Sequence, residues 1–106
     1  MEPRTIPLGQ HSARVWTGGT GEAIVLLHGG WAGAEAYWST VAGELERSHR
    51  VVAPDLPGIG APGALLPSFS AYAAWLEALL AALAIERATV VGNSLGATIE
   101  IGRAHV

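Results

Sequence analysis

Five apolar residues follow one another without interruption at Ala23-Ile24-Val25-Leu26-Leu27. A strand with one face in water alternates apolar and polar positions. Alternation vanishes when both faces are covered, so this run predicts a central strand of a parallel sheet. Arg50-Val51-Val52-Ala53 and residues 88–91 read the same way. Between the first two strands the spacing becomes helical from near Ala34. Tyr37 or Trp38, Val41 and Leu45 recur on an apolar side, with Glu44, Glu46 and Arg47 opposite. Between the second and third strands, Tyr72, Trp75, Leu76, Leu79, Leu80 and Leu83 mark one face of a helix over 69–84, with Ser68 or Ser70 as its cap. Leu95 begins a third helix. Ahead of Ala23 the pattern is weak: residues 6–16 supply one or two short strands, the second at 13–16, and the glycines of 17–21 make a turn. Strands alternating with helices predict an α/β fold with a parallel sheet covered on both faces.

Composition narrows this picture. The 106 residues allow one compact unit; half are hydrophobic and 14% charged, far from a disordered composition. The net charge of −3 and the scattered basic residues, all arginine, give no footprint for nucleic acid. With no lysine, a Walker-A loop and Schiff-base chemistry are excluded. With no cysteine, so are thiol nucleophiles, disulfides and zinc-thiolate sites. The start lacks a basic segment followed by an apolar run, and the apolar stretches at 23–27 and 79–85 are too short for a membrane span. A cytoplasmic protein without a cofactor or metal is the expectation; His11, His49 and His105 have no ligand partners at useful spacing.

The chemistry concentrates in loops that follow the three strands, since functional loops of a parallel sheet lie beyond the carboxyl ends of its strands. Val90-Val91-Gly92-Asn93-Ser94-Leu95-Gly96-Ala97 places a serine between two glycines, directly after a strand and before a helix. A G-x-S-x-G match alone also describes an ordinary turn; in this context it predicts a nucleophile elbow, with Gly92 and Gly96 keeping the bend small. The Leu95 N–H, at a helix start, is an oxyanion donor candidate. The Gly30 N–H in His28-Gly29-Gly30-Trp31 is the second, with Gly29 letting the backbone approach closely. His28 is read as a hydrogen-bonded support for that loop, a general base being the other option. Asp55, the one aspartate, precedes Leu56-Pro57-Gly58; its side chain is read as accepting backbone N–H bonds that fix the turn, an acid role being the alternative. Trp31, beside the oxyanion loop, is the aromatic residue placed to touch substrate, whereas Trp38 and Trp75 are read as core.

Taken together, Leu26-Leu27-His28-Gly29-Gly30-Trp31, Asp55-Leu56-Pro57-Gly58-Ile59-Gly60 and Gly92-Asn93-Ser94-Leu95-Gly96 resemble the amino-terminal half of an α/β-hydrolase over residues 13 to 99. The resemblance implies a three-layer α/β-hydrolase fold truncated after the nucleophile elbow. It also implies Ser94 as nucleophile, Leu95 and Gly30 as oxyanion donors, and a structural role for the Asp55 loop. A serine usually follows that loop; Ala61 and Pro62 stand here instead. Serine at the elbow points away from the dehalogenase and epoxide-hydrolase branches and toward esterases, lactonases, carbon–carbon bond hydrolases, cofactor-free haloperoxidases and some non-hydrolytic members. The triad acid and base come later in family order, so the parent is expected to hydrolyse a small acyl substrate and this chain to be inactive.

Residues 1–99 are therefore expected to be half of a hydrolase domain, with 100–106 as a non-native tail. Glu100-Ile101-Gly102-Arg103-Ala104-His105-Val106 resembles a translated sequencing adapter: the bases GAG ATC GGA AGA GCA CAC GTC would encode it in full, and the adapter's next codon is a stop. The natural frame is expected to break at or just before Glu100. Such a fragment would leave strand 88–91 uncovered, and is expected to aggregate or to depend on the missing half. The rival functions are a short half-fold module that pairs with a separate second half, and a nucleotide-binding domain, for which the loop after Leu27 lacks the glycine spacing.

Overall fold

The computed structural model describes residues 1–30, 32–61, 65–93 and 96–99. Its elements in chain order are β1 (Glu2–Leu8), β2 (His11–Gly18), β3 (Ala23–Leu27), α1 (Ala34–Leu45), β4 (Arg50–Pro54), α2 (Phe69–Ala82) and β5 (Ala88–Gly92). The strands form one sheet in the order β1-β2-β4-β3-β5. β3 pairs in parallel with β4 and with β5. The amino-terminal region becomes a hairpin longer than its weak pattern suggests, in register from Glu2↔Thr17 to Leu8↔His11. Its two-residue turn carries Gly9 at φ +61, a left-handed backbone that glycine adopts without strain. Because so short a turn joins only antiparallel strands, and β2 also runs antiparallel to β4, the sheet is mixed, with β4, β3 and β5 as its parallel part.

Helices cover opposite faces. Val25, Leu27 and Val52 pack with Tyr72, Leu76, Leu79 and Leu80 of α2. Leu26, Val51 and Ala53 pack with Ala34 and Ala42 of α1, and Trp38 and Leu45 flank them. Successive residues of β3 and β4 thus enter different cores, which is why their sequences do not alternate. The contact face of α1 runs through Ala34, Trp38, Ala42 and Leu45; Val41, counted from sequence on the apolar side, is 46% exposed. Two fully buried alanines on that face let the helix approach the sheet closely. Gly19, at φ +75, lets the loop after β2 cross the end of α1, where a side chain would strike the His49 carbonyl.

Ser68 caps α2, its Oγ accepting the Ala71 N–H at 3.0 Å. The helix ends two residues before the sequence-based limit. There Ala84 turns left-handed at φ 57, and the Ala84 and Ile85 amides donate to the carbonyls of Ala81 and Leu80 at 3.0 and 2.9 Å. Among the described residues β5 is paired on one side only, with β3. The backbone of 96–99 is helical, and Ile99 is buried in the α2-side core. The expected tail, 100–106, lies outside the described residues. Among the described residues no helix is long and apolar enough to cross a membrane.

Candidate active site

The carboxyl ends of β3, β4 and β5 bring three loops to one edge of the sheet. Leu27 and Gly92 are register partners, and the Asn93 N–H donates to the Leu27 carbonyl at 3.1 Å, carrying the ladder past the end of β5. The Gly96 N–H donates to the Asn93 carbonyl at 3.0 Å, which holds the start of the helical segment 96–99 against the strand end. Space there is minimal. A Cβ on Gly92 would lie 2.5 Å from the Ala97 nitrogen, and one on Gly96 would strike the Leu27 carbonyl oxygen and sit 2.8 Å from that of His28. Ser94 and Leu95 lie outside the described residues.

His28 is fully buried where β3 ends. Its Nε2 accepts the Leu56 N–H at 2.9 Å. With Nε2 accepting, the ring proton sits on Nδ1, which donates to the Gly29 carbonyl at 2.6 Å. Both ring nitrogens are thus occupied inside the protein, and neither is free to take a proton from a nucleophile. The ring also lies against Tyr37 of α1, with centroids 5.9 Å apart and planes tilted by 31°.

Asp55, 3% exposed, follows β4. The sequence pattern pointed to the amides of its own turn, but Oδ1 accepts the N–H of Ala34 at 2.7 Å. Gly33 at the N-cap of α1 has no side chain to do this, so the carboxylate caps the helix from another loop, where its charge also complements the helix dipole. Oδ2 faces the half-exposed Arg14 guanidinium at 3.6 Å. The turn itself is closed by one carbonyl: Leu56 accepts from Ile59, Gly60 and Ala61 at 3.1, 3.0 and 3.3 Å. Ala61, where the family pattern is broken, pairs back to Pro57.

Three residues hold these loops together: Gly33 and Tyr37, to which sequence reasoning gave no site role, and Gly60, which it named only within the Asp55 loop motif. A Cβ on Gly60 would lie 2.6 Å from His28 Nε2 and 2.7 Å from the Gly33 Cα; one on Gly33 would lie 2.7 Å from Asp55 Oδ1. The third is Tyr37, whose hydroxyl abuts Gly29. An available signal for Gly33 was its place just before a predicted helix start, which left that helix needing a cap from elsewhere. Gly30 is exposed, and among the described residues no atom lies within 4 Å of where its Cβ would stand; Trp31 lies outside the described residues. Trp38 and Trp75 pack at the margins of the two cores. His11 opens β2 on the surface, His49 meets the Ser48 hydroxyl, and His105 lies outside the described residues. A cavity of about 660 Å³ lies between the β1–β2 turn and α2, lined by Leu8, His11, Pro57, Leu66, Trp75 and Ala78 among others.

The sequence pattern of the alpha/beta hydrolase family matches residues 24–103. A 2-hydroxy-6-oxo-2,4-heptadienoate hydrolase of Pseudomonas putida is 38% identical over 88 residues, covering 78% of this chain and 32% of its own length. Among solved structures, the N-acyl homoserine lactonase AidH superposes with a TM-score of 0.87 at 28% identity, over 99% of this chain and 40% of its own. An epoxide hydrolase from an endophytic Streptomyces does so at 0.87 and 26%, over 98% and 33%. The chain therefore spans about a third of the curated relative's length and two fifths or less of these solved chains.

Proposed function

The chain belongs to the alpha/beta hydrolase family, and from that premise we propose that it is the amino-terminal part of a serine hydrolase. Ser94 is the nucleophile, and the backbone amides of Gly30 and Leu95 receive the oxyanion. The observation that carries this reading is the junction at Leu27. The strand end that leads into Gly30 is tied to the residue before Ser94 by the Asn93 amide and is packed bare against Gly96. In the complete protein, the Ser94 hydroxyl attacks the carbonyl carbon of a small ester or related acyl substrate as a base takes its proton. The tetrahedral oxyanion collapses, expelling the leaving group, and water then hydrolyses the acyl-enzyme. The reaction needs no cofactor, Trp31 borders the acyl site, and the setting is cytoplasmic.

Base and acid have to come from further polypeptide. His28 spends both nitrogens on Leu56 and Gly29, and Asp55 is committed to Ala34. The 106-residue chain alone therefore turns over no ester. The test is the complete natural coding frame, which should continue past residue 99 into an Asp or Glu and then a His. Purified, it should give an acylation burst with a p-nitrophenyl ester, and Ser94→Ala should cut turnover by about a thousandfold or more. An unaffected Ser94→Ala rate would refute the reading. The side of β5 with which no described strand pairs supports a second reading, a half-fold that recruits a separately encoded remainder; ester turnover that appears only on mixing the two polypeptides would favour it.

A further inference from the structure

We propose that Tyr37 is a positioning residue of the oxyanion loop, setting the orientation of the Gly29–Gly30 peptide unit. The inference rests on the reading of the Gly30 amide as an oxyanion donor. In that peptide unit the Gly29 carbonyl and the Gly30 N–H point in opposite directions, because the bond is trans. Whatever aims the carbonyl therefore aims the donor. The carbonyl is held from one side by the His28 Nδ1–H at 2.6 Å. That ring cannot turn away without giving up the Leu56 amide on its other nitrogen.

The remaining freedom is a swing of the loop about Gly29, and Tyr37 stands in its path. A methyl group on Gly29 would lie 2.6 Å from the Tyr37 hydroxyl, 3.1 Å from its Cζ and 3.4 Å from the Asn93 carbonyl oxygen. The bare Cα of Gly29 is thus the point where α1, the loop after β3 and the end of β5 meet, and the phenol occupies the room a side chain would take. Tyr37 is itself well placed to act as a stop. Its ring leans on His28. Its helix is anchored one turn earlier, where Asp55 holds the Ala34 amide, and the Tyr37 N–H donates to the Gly33 carbonyl at 3.4 Å. One side chain therefore links the helix cap, the histidine and the donor loop.

A boronic acid tests this without the missing base: its boron bonds the Ser94 oxygen as the hydroxyl proton passes to solvent, and the tetrahedral anion places a boron-bound oxygen among the oxyanion donors. Phenylboronic acid is titrated into the 106-residue chain carrying Val91→Lys, which limits association through the β5 edge, and into its Tyr37→Phe, Tyr37→Ala, Gly29→Ala and Ser94→Ala variants in the same background. Adduct formation is followed by boron NMR, and the Gly30 amide by nitrogen–proton correlation. The expected order of affinity is the Val91→Lys chain, then Tyr37→Phe within about threefold, then Tyr37→Ala and Gly29→Ala weakened by about tenfold or more, because misaiming a donor costs part of what deleting it costs. The Gly30 resonance should move in the last two while resonances of α2 stay in place. If Tyr37→Ala does not fold, Gly29→Ala alone decides between these outcomes. Affinity within twofold of the Val91→Lys chain with Gly30 unmoved overturns the role of Tyr37 and leaves the serine-hydrolase reading standing. A Val91→Lys chain that forms no adduct, like Ser94→Ala, overturns the oxyanion site itself and this inference with it.

Discussion

The carboxylate of Asp55 accepts the backbone N–H of Ala34 at 2.7 Å across 21 residues of sequence, joining the loop after β4 to the first turn of α1. The bond is buried and its acceptor is charged, so it carries more weight than a surface cap. Asp55→Ala should cost about 2 kcal/mol in urea unfolding, since it strands a buried amide at a helix start. Asp55→Asn keeps an oxygen in place and should cost about half as much. Arg14→Ala should cost no more than about 0.5 kcal/mol, because that guanidinium is half exposed at 3.6 Å. Equal losses for Asp55→Ala and Arg14→Ala would mean that the ion pair, and not the cap, is what matters.

Glycines at the site divide sharply by the space around them. Gly60 and Gly96 face backbone or a locked ring, with no flexible side chain to give way. Gly60→Ala and Gly96→Ala should each destabilise by about 2 kcal/mol or more, in the range of forced overpacking. At Gly30 no described residue comes within 4 Å of the Cβ position, so Gly30→Ala should leave stability within about 0.5 kcal/mol. Thermal melts of the three variants check this. A Gly30→Ala chain as unstable as Gly96→Ala would contradict the geometry.

Ala84 marks a place where the chain departs from the residue its backbone favours. At φ 57 it occupies the left-handed position after α2, in the two-bond cap formed by its own amide and that of Ile85. Glycine normally takes this place because a Cβ clashes with the following carbonyl. Ala84→Gly should therefore stabilise by about 0.5–1 kcal/mol, the relief of the left-handed strain outweighing the extra freedom of the unfolded chain. A lower melting temperature for Ala84→Gly would show that the cap tolerates alanine without strain.

What could be read from the sequence follows the range of the interactions involved. The strand Ala23–Leu27 and the start of α2 rest on local patterns, an unbroken apolar run and a serine cap three residues before Ala71, and both were legible. The face of α1 was less so. Val41 is the more hydrophobic residue, yet Ala42 is the buried one, because closeness to the sheet is decided by a neighbouring surface. At the site, residue types pointed to His28 and Asp55, but their partners Leu56 and Ala34 are 28 and 21 residues away. No period or spacing encodes such pairs. Gly33 and Tyr37 were missed, and Gly60 was seen only as part of its loop motif, for the same reason: their importance lies in volume left empty or filled across loops that meet only after folding.

The two edges of the sheet differ in how they are guarded. β1 carries Pro3 and Pro7, which cannot donate to a ladder, with Glu2 and Arg4 exposed beside them, all features that discourage edge-to-edge pairing. β5 has none of these: its residues are Ala-Thr-Val-Val-Gly, and Val91 is 40% exposed. Ala88 and Val90 lean on the α2-side core, which leaves Thr89 and Val91 on the opposite, barer face. An unguarded apolar strand edge should make the isolated chain self-associate at micromolar concentrations. Val91→Lys should reduce that association while changing stability by less than about 0.5 kcal/mol, because the side chain leaves no core when it is replaced. Sedimentation velocity of the two proteins over a concentration series measures the effect. Association unchanged by Val91→Lys, but lost on substituting the exposed Leu65 and Phe69, would move the sticky surface from β5 to the segment leading into α2.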